Sequence, residues 1–413
     1  MTIHAMRRID FWVGVPLCLL LTWVNRILRL FPAPPHRGVK SAPEKILFIK
    51  PSEMGGIILS YPLLHQMQRD YPTAEMFFLT FQCNQDLFDV LDAIPHKNVL
   101  TIRDHSVSIF LFDTIKVLLT IRKIKVDVVF DLEFFSRFTA IISYLTGATK
   151  RVGFYRYTLE GLYRGNLLTH NIPYNPQLHI SKTFLAMAQV VGQPKKITPE
   201  FERDIGDDDI TLPRFIPTLE EKEVMKNRLE RLGITSNARL FIINPGEGRI
   251  PLREWPLENF VVLGRKLLED ENNYIVIAGA SDETKKSERL YQELDHQRCL
   301  DWTGKTSLRE LLTLFTMADT LITNDSGFAH LASLTPIPQF VLFGPESPRV
   351  FSSLSHHTHV FYSNWPCSPC LSAYNHRHSA CKDNRCLKAI GAQEVYEVIA
   401  EKICPTSLKS FHV

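Results

Sequence analysis

Short apolar runs, each followed by a turn and then by a stretch whose apolar side chains recur at helical spacing, alternate along most of this sequence. KILFIK (45–50) reads as a buried strand, the Gly55-Gly56 turn leads into a helix from about Ile57 to Arg69, and MFFLTF (76–81) reads as the next strand. A helix is predicted over 110–124, a strand at VDVVFDLE (126–133), and a helix over FFSRFTAIISYLTG (134–147). A second alternating series begins near Leu240, with strands RLFIIN, NYIVIAG, TLIT and PQFVLF separated by helices over 257–270, 282–294 and 307–317. Strands alternating with helices predict parallel sheets covered on both faces, hence two doubly wound, Rossmann-like domains. Between Gly192 and Pro217 the pattern lapses into a polar stretch with GDDD at 206–209, which suits an interdomain linker.

The one long apolar run is 9–31, IDFWVGVPLCLLLTWVNRILRLF. Its uncharged part, Phe11 to Val24, falls short of the roughly 20 residues a spanning helix prefers. Arg26 and Arg29 interleave with apolar residues beyond it, and Trp12 and Trp23 bracket it, the composition of an amphipathic helix in the headgroup region. The competing readings are a helix packed on the protein itself and a cleaved signal peptide; the signal peptide is disfavoured because no small-residue cleavage site precedes PAPP, and Leu17 before Cys18 argues against a lipoprotein site. Arg37, Lys40, Lys45 and Lys50 follow the run and favour a cytosolic domain behind it.

A chain of 413 residues with 45% hydrophobic and 22% charged residues has ample core for two domains. The net charge of +3 lacks the dense basic stripe of a nucleic-acid binder, so no nucleic-acid partner is expected and anionic small molecules or lipid headgroups fit better. Of eight cysteines, Cys367, Cys370, Cys381 and Cys386 cluster as C-x2-C-x10-C-x4-C, a spacing compatible with a tetrahedral zinc site or with a reduced, partly buried thiol cluster. The second reading is taken here, and no metal ligand is assigned.

The densest chemistry lies in LITNDSGFAHLASLTPIPQFVLFGPESP (321–348), where a strand runs through Asn324, Asp325, Ser326 and Gly327 into a helix carrying His330. A strand, turn and helix start of this kind aims free N–H groups at an anion, with Asp325 as the expected cap. NPGEG (244–248) after a strand suits a backbone phosphate cradle built on Gly246, Glu247 and Gly248, with Arg249 and Arg253 beside it. Tyr155, Arg156, Tyr157, Tyr163, Arg164, His170, His179 and Lys182 interleave aromatic and basic side chains, as either an acceptor-binding surface or a solvated covering loop.

NDSGFAHLAS followed by FVLFGPESP resembles the donor-site signature of glycosyltransferase family 9, the heptosyltransferase-like enzymes. KILFIKPSEMGGIILSYPLL, VDVVFDLE, GATKRVGF, INPGEG with REWP, and IVIAGASDE extend the resemblance in order over roughly 45–400. The resemblance implies an α/β fold of GT-B architecture, two Rossmann-like domains facing a cleft, with the N-terminal helix added. The expected division is 1–43 as membrane-associating helix and linker, 44–205 as acceptor domain, and 206–413 as nucleotide-sugar donor domain. It further implies a bacterial inverting transferase moving a sugar from a nucleotide diphosphate, ADP-heptose-like, to a lipopolysaccharide-core or other glycolipid acceptor at the cytoplasmic face of the inner membrane. No cofactor is required.

By the same resemblance Arg253 contacts the diphosphate, and Ser281, Asp282 or Glu283 recognises the nucleoside. Family sequences usually carry Asp directly after the Gly of the first loop as the presumed general base, and often a His further on; here Gly56 and Leu59 stand there. Glu53 is the expected replacement base, with Asp131 and Glu133 as other candidates and helix capping as the bland role for Glu53. These two departures motivate the rival reading, a degenerate member that binds nucleotide or glycan without turnover. An oxidoreductase would want a G-x-G-x-x-G turn, which the chain lacks, and a sugar-nucleotide epimerase would not need the amphipathic N-terminus.

Overall fold

The computed structural model describes residues 3–28, 30, 42–155, 163–193, 199–235, 237–246, 248 and 250–403. It divides into two compact units, Met1–Thr211 with Ala373–Arg377, and Leu212–Ser372 with His378–Val413. The second part of the chain therefore returns five residues to the first unit.

The first unit is built on strands β1 (Lys45–Ile49), β2 (Glu75–Phe81), β3 (Val99–Ile102), β4 (Val128–Asp131), β5 (Lys150–Tyr155) and β6 (His170–Pro173), in the order β3-β2-β1-β4-β5-β6. All pair in parallel, with Ile49 opposite Asp131 at the carboxyl ends of β1 and β4. The second unit repeats the plan with β7 (Arg239–Asn244), β8 (Asn273–Ile277), β9 (Cys299–Asp301), β10 (Thr320–Asn324), β11 (Gln339–Phe343) and β12 (Thr358–Tyr362), in the order β12-β11-β10-β7-β8-β9. Here too every pairing is parallel, and Thr323 stands opposite Asn244.

Both orders reverse direction once, between β1 and β4 and between β7 and β10. In doubly wound sheets the helices leave on opposite sides at such a point, and the crevice they open at the strands' carboxyl ends is where ligands bind. Central strands buried on both faces explain the unbroken apolar runs: Ile46, Leu47, Phe48 and Ile49 are all buried, as are Leu321 and Ile322.

Helix limits follow caps. The helix expected from Ile57 begins at Met54, because the carbonyl of Glu53 accepts from the N–H groups of Gly56 (2.9 Å) and Ile57 (3.3 Å). The helix expected from Phe134 begins only at Arg137: Ser136 caps it by accepting from the N–H of Thr139, and Phe135 just before sits at φ 53°, outside the helical region. The N-terminal run forms helices Ile3–Trp12 and Gly14–Leu28. Ala5–Leu28 is long and apolar enough to cross a membrane by length and composition.

Candidate active site

In the first unit, the reversal point gathers side chains from the ends of β1 and β4. Lys50 follows β1 directly, is buried, and its Nζ bonds Glu133 Oε2 at 2.9 Å. The other oxygen of Glu133 accepts from the backbone N–H (2.9 Å) and the hydroxyl (2.6 Å) of Ser52. Three donors occupy the oxygens of Glu133, whose lone pairs a base would need. Asp131 is fully buried against the Arg164 guanidinium at 2.8 Å. Burial outweighs Arg164 and raises its carboxyl to about 6 from 3.8.

Glu53 differs from both. It occupies the N-cap position, yet its side chain makes no capping hydrogen bond; its carboxylate pairs with Arg377, and the side chain is 31% exposed. Its backbone lies at φ 63° and ψ 100°, a region non-glycine residues rarely adopt, at a cost of about 1–3 kcal/mol. Lys50 Nζ (5.4 Å) and the Arg377 guanidinium (5.6 Å) both stand near the Phe134 ring, and each pairs with one glutamate. Among Glu53, Asp131 and Glu133, the first combines access to solvent with a position at the carboxyl end of β1.

Gly56 has a physical reason to be glycine here: a Cβ at that position would lie 2.5 Å from Lys50 Cε. The buried lysine arm takes the space that a side chain at 56 would need. Leu59 is buried in its helix.

The Asp131 carboxyl gives a pH signature. Its raised value means that the folded chain binds a proton more readily than the unfolded chain does. The favourable contribution is present below about 4 and is lost as pH rises through about 6. Relative to an Asp131→Asn variant, the parent should lose on the order of 2 kcal/mol of stability between those limits. Denaturant titrations across the window measure this, and parallel pH profiles for the two proteins would refute it.

In the second unit, Asn244 at the end of β7 is the hub. Its Nδ2 donates to the carbonyl of Ala278 (2.9 Å) and to Glu283 (3.1 Å), and its Oδ1 accepts from Thr323 (3.0 Å). Asn324, at the end of β10, donates to the carbonyls of Pro245 and Gly246 and accepts from the N–H of Trp255. These amides fasten the loop after β7 to β10. Gly246 is required by contact: a Cβ there would fall 2.0 Å from a Glu283 carboxylate oxygen, and one at Gly279 would fall 2.7 Å from the other. Glu283 thus sits between two glycines and caps its own turn by accepting from the N–H of Ala280, while Ser281 and Asp282 are exposed beside it.

The helix Gly327–Ala332 is capped by Ser326, whose hydroxyl accepts from the N–H of Phe328, and not by Asp325 as the sequence suggested. Asp325 is drawn aside by Arg253, whose Nε lies 3.4 Å from its carboxylate. Arg253 Nη2 also bonds Glu346 at 2.8 Å, and all three side chains are nearly or fully buried. The guanidinium is thus fixed in place by two carboxylates. His330 is buried in the same helix. A Cβ at Gly327 would meet nothing within 4 Å among the described residues, so their packing leaves room at this helix start. Gly248 lies at φ 63° and is exposed. Glu247 and Arg249, and Arg156 and Tyr157 of the other expected surface, lie outside the described residues.

Among the described residues no group of three or more His, Cys, Asp or Glu is arranged to hold a metal ion. Cys367, Cys370, Cys381 and Cys386 carry free thiols, and burial pushes the Cys386 thiol up. Lys50, Asn244, Glu346 and Arg377 were not singled out from sequence as site residues. The position of Lys50 and Asn244 at the last residue of an apolar run was the available signal.

Two Rossmann-type units, each with polar side chains gathered at the carboxyl ends of the strands beside its reversal point, define a doubly wound α/β protein. Residues 116–380 match the family model described as glycosyltransferase family 9 (heptosyltransferase). The chain belongs to that family. Lipooligosaccharide heptosyltransferase 2 of Haemophilus ducreyi is 24% identical over 75% of this chain and 86% of its own length. Lipopolysaccharide heptosyltransferase 2 of Salmonella typhimurium is 27% identical over 37% of this chain, and the match spans 44% of that relative's length. The solved E. coli ADP-heptose lps heptosyltransferase II superposes with a TM-score of 0.65 at 19% identity, covering 87% of this chain and 98% of that one. A family 9 glycosyl transferase from Veillonella parvula gives 0.66 at 17%, covering 87% and 97%. These superpositions show a common fold, the GT-B class of two Rossmann-like domains.

Proposed function

We propose that this chain is an inverting glycosyltransferase that moves a sugar from a nucleotide diphosphate of the ADP-heptose class to a lipopolysaccharide-core or related glycolipid acceptor. The observation that carries the reading is the helix start at Gly327, open among the described residues, after a strand whose Asn324 binds the carbonyl of Gly246. Backbone N–H groups with space above them suit a diphosphate, and aligned peptide dipoles stabilise the charge that grows on it as it leaves. Arg253 is the positioned cation of that site. Its two carboxylates keep the guanidinium fixed before substrate arrives, so less ordering is needed on binding.

In this scheme the acceptor hydroxyl attacks the anomeric carbon, the carbon–oxygen bond to the diphosphate breaks, and the hydroxyl proton passes to the Glu53 carboxylate. One displacement inverts the anomeric centre. The relatives' names, which include lipopolysaccharide and lipooligosaccharide heptosyltransferases, support the donor and acceptor classes. The apolar, largely exposed N-terminal helices support residence at the cytoplasmic face of the inner membrane, where such an acceptor would be met. Gly56 favours a second reading, a member that binds donor without turnover, since the usual acid has no room beside Lys50.

Calorimetric titration with ADP, UDP, GDP, CDP and their sugar conjugates tests the donor site. The parent should bind one nucleotide selectively. Gly327→Val should keep the melting temperature, because its side chain enters open space, and should weaken binding by ~10-fold or more, the loss of about 1.4 kcal/mol. Equal affinity in parent and variant would contradict the site, and absence of binding to every nucleotide would contradict the function.

A further inference from the structure

The helix Val107–Ile124 covers the first sheet with one face and leaves the other without a partner among the described residues. Inward, Val117 and Ile121 join the cluster formed by Leu47, Ile49, Phe77 and Leu79, and Asp113 is buried against Arg103 at 2.7 Å. Outward, Val107, Leu111, Phe112, Ile115 and Leu119 are between 47% and 65% exposed. They recur at helical spacing where a helix on a water-facing surface carries polar residues.

The same outward surface carries charge of one sign. Lys116, Arg122 and Lys123 are exposed along it, and the helix's single acid is the buried Asp113. An apolar stripe with a cationic flank and no exposed acid complements an anionic lipid surface.

The N-terminal helices give the stripe its context. Asp10 accepts from Ser136 Oγ (3.3 Å) and from the N–H groups of Arg137 (3.0 Å) and Phe138 (2.9 Å), and it pairs with the Arg137 guanidinium at 3.0 Å. Thr22 Oγ accepts from the N–H of Asn166 at 3.0 Å, and Asn25 donates to the carbonyl of the same residue. A Cβ at Gly165 would come within 2.5 Å of Thr22 Oγ, and one at Gly14 within 2.7 Å of Arg137. The inner side of these helices is fastened to the first unit by polar contacts that a bilayer core would not supply, while Phe11, Trp12, Leu20, Trp23 and Ile27 face outward. Met6 packs on the same cluster as Phe110 and Phe138. The two outward apolar faces therefore belong to one side of the first unit.

We propose that the outward face of Val107–Ile124 is a second membrane contact, which binds an anionic bilayer surface alongside the N-terminal helices so that the first unit rests on lipid by two elements. This rests on the membrane residence proposed above. With both elements engaged, the N-terminal helices lie along the bilayer and do not cross it.

The test is flotation of the full chain with phosphatidylcholine vesicles with and without phosphatidylglycerol, for the parent, for Leu111→Asp with Phe112→Asp, and for Trp12→Asp with Trp23→Asp. The Leu111→Asp/Phe112→Asp protein should keep the parent's circular dichroism and melting temperature and lose ~10-fold or more of its partition into phosphatidylglycerol vesicles. Parent-like partition in that protein, with partition lost in Trp12→Asp/Trp23→Asp, would overturn the second contact and leave the N-terminal one standing. No partition by the parent would overturn both. A parent that sediments as a dimer without lipid, with a monomeric Leu111→Asp/Phe112→Asp protein, would make the face a self-association surface and overturn the lipid assignment. Should the double aspartate protein fail to fold, Phe112→Trp keeps the question answerable: added fluorescence quenched by brominated lipid supports the contact, and added fluorescence that is not quenched refutes it.

Discussion

Glu53→Gln should lower turnover by about 10²–10⁴-fold, the usual contribution of a positioned general base, while nucleotide affinity stays at the parent's value. The amide keeps the size of the side chain and removes its ability to take the acceptor's proton. Three features single out this carboxylate. It stands at the carboxyl end of β1, it is more exposed than Asp131 or Glu133, and the chain holds it in a backbone conformation that costs energy without using it as a helix cap. Asp131 is buried under Arg164, and Glu133 already receives bonds from Lys50 and Ser52. Transfer rates and nucleotide titrations on the same preparation separate chemistry from binding. A variant with parental turnover would remove Glu53 from the mechanism, and one that lost nucleotide binding as well would make its role structural.

Arg253→Met should be the most damaging single change in the second unit. The guanidinium stands between the buried Asp325 and Glu346 carboxylates, and removing it takes an ion-pair partner from each. Breaking a buried ion pair from one side costs about 3–5 kcal/mol, which chemical denaturation will register as a large fall in midpoint. Donor affinity should fall as well, because Arg253 Nη1 donates to the carbonyl of Asp325, just before the Ser326 cap. Adding Glu346→Gln should recover part of the lost stability, since it removes one of the two buried negative charges that Arg253 offsets. A single variant as stable as the parent would mean that the three side chains are not energetically coupled.

The apolar runs of β1, β7, β10 and β11 were legible because central parallel strands are buried on both faces, and the turn after each was marked by Gly, Pro, Asn or Asp. A strand nearer the sheet edge that carries charged residues was not. In β5, Lys150 and Arg151 break the apolar run, and their charged ends are spent on the carbonyls of Val191, Leu167 and Ala148, partners supplied by folding. The start of the helix after β4 was misread because Phe134 and Phe135 continue the apolar pattern while Ser136 alone sets the cap.

The candidate site could be proposed from sequence where its residues follow one strand. Gly246, Ser326 and Gly327 could be read in that way, although the identity of the cap could not, because Asp325 answers to Arg253 from a distant segment. Glu346 and Arg377 were beyond reach for the same reason: each matters through a partner 93 or 324 positions away in the chain. Gly56 read as a missing acid; the fold adds that Lys50 fills its space.

Sugar transfer itself is tested most directly by incubating the full chain with ADP-heptose and a lipopolysaccharide-core acceptor lacking its next heptose, and weighing the acceptor by mass spectrometry. Gain of one heptose with matching release of ADP is the predicted result. An unchanged acceptor, from protein shown to bind the nucleotide, would contradict transfer and leave a donor-binding protein in its place.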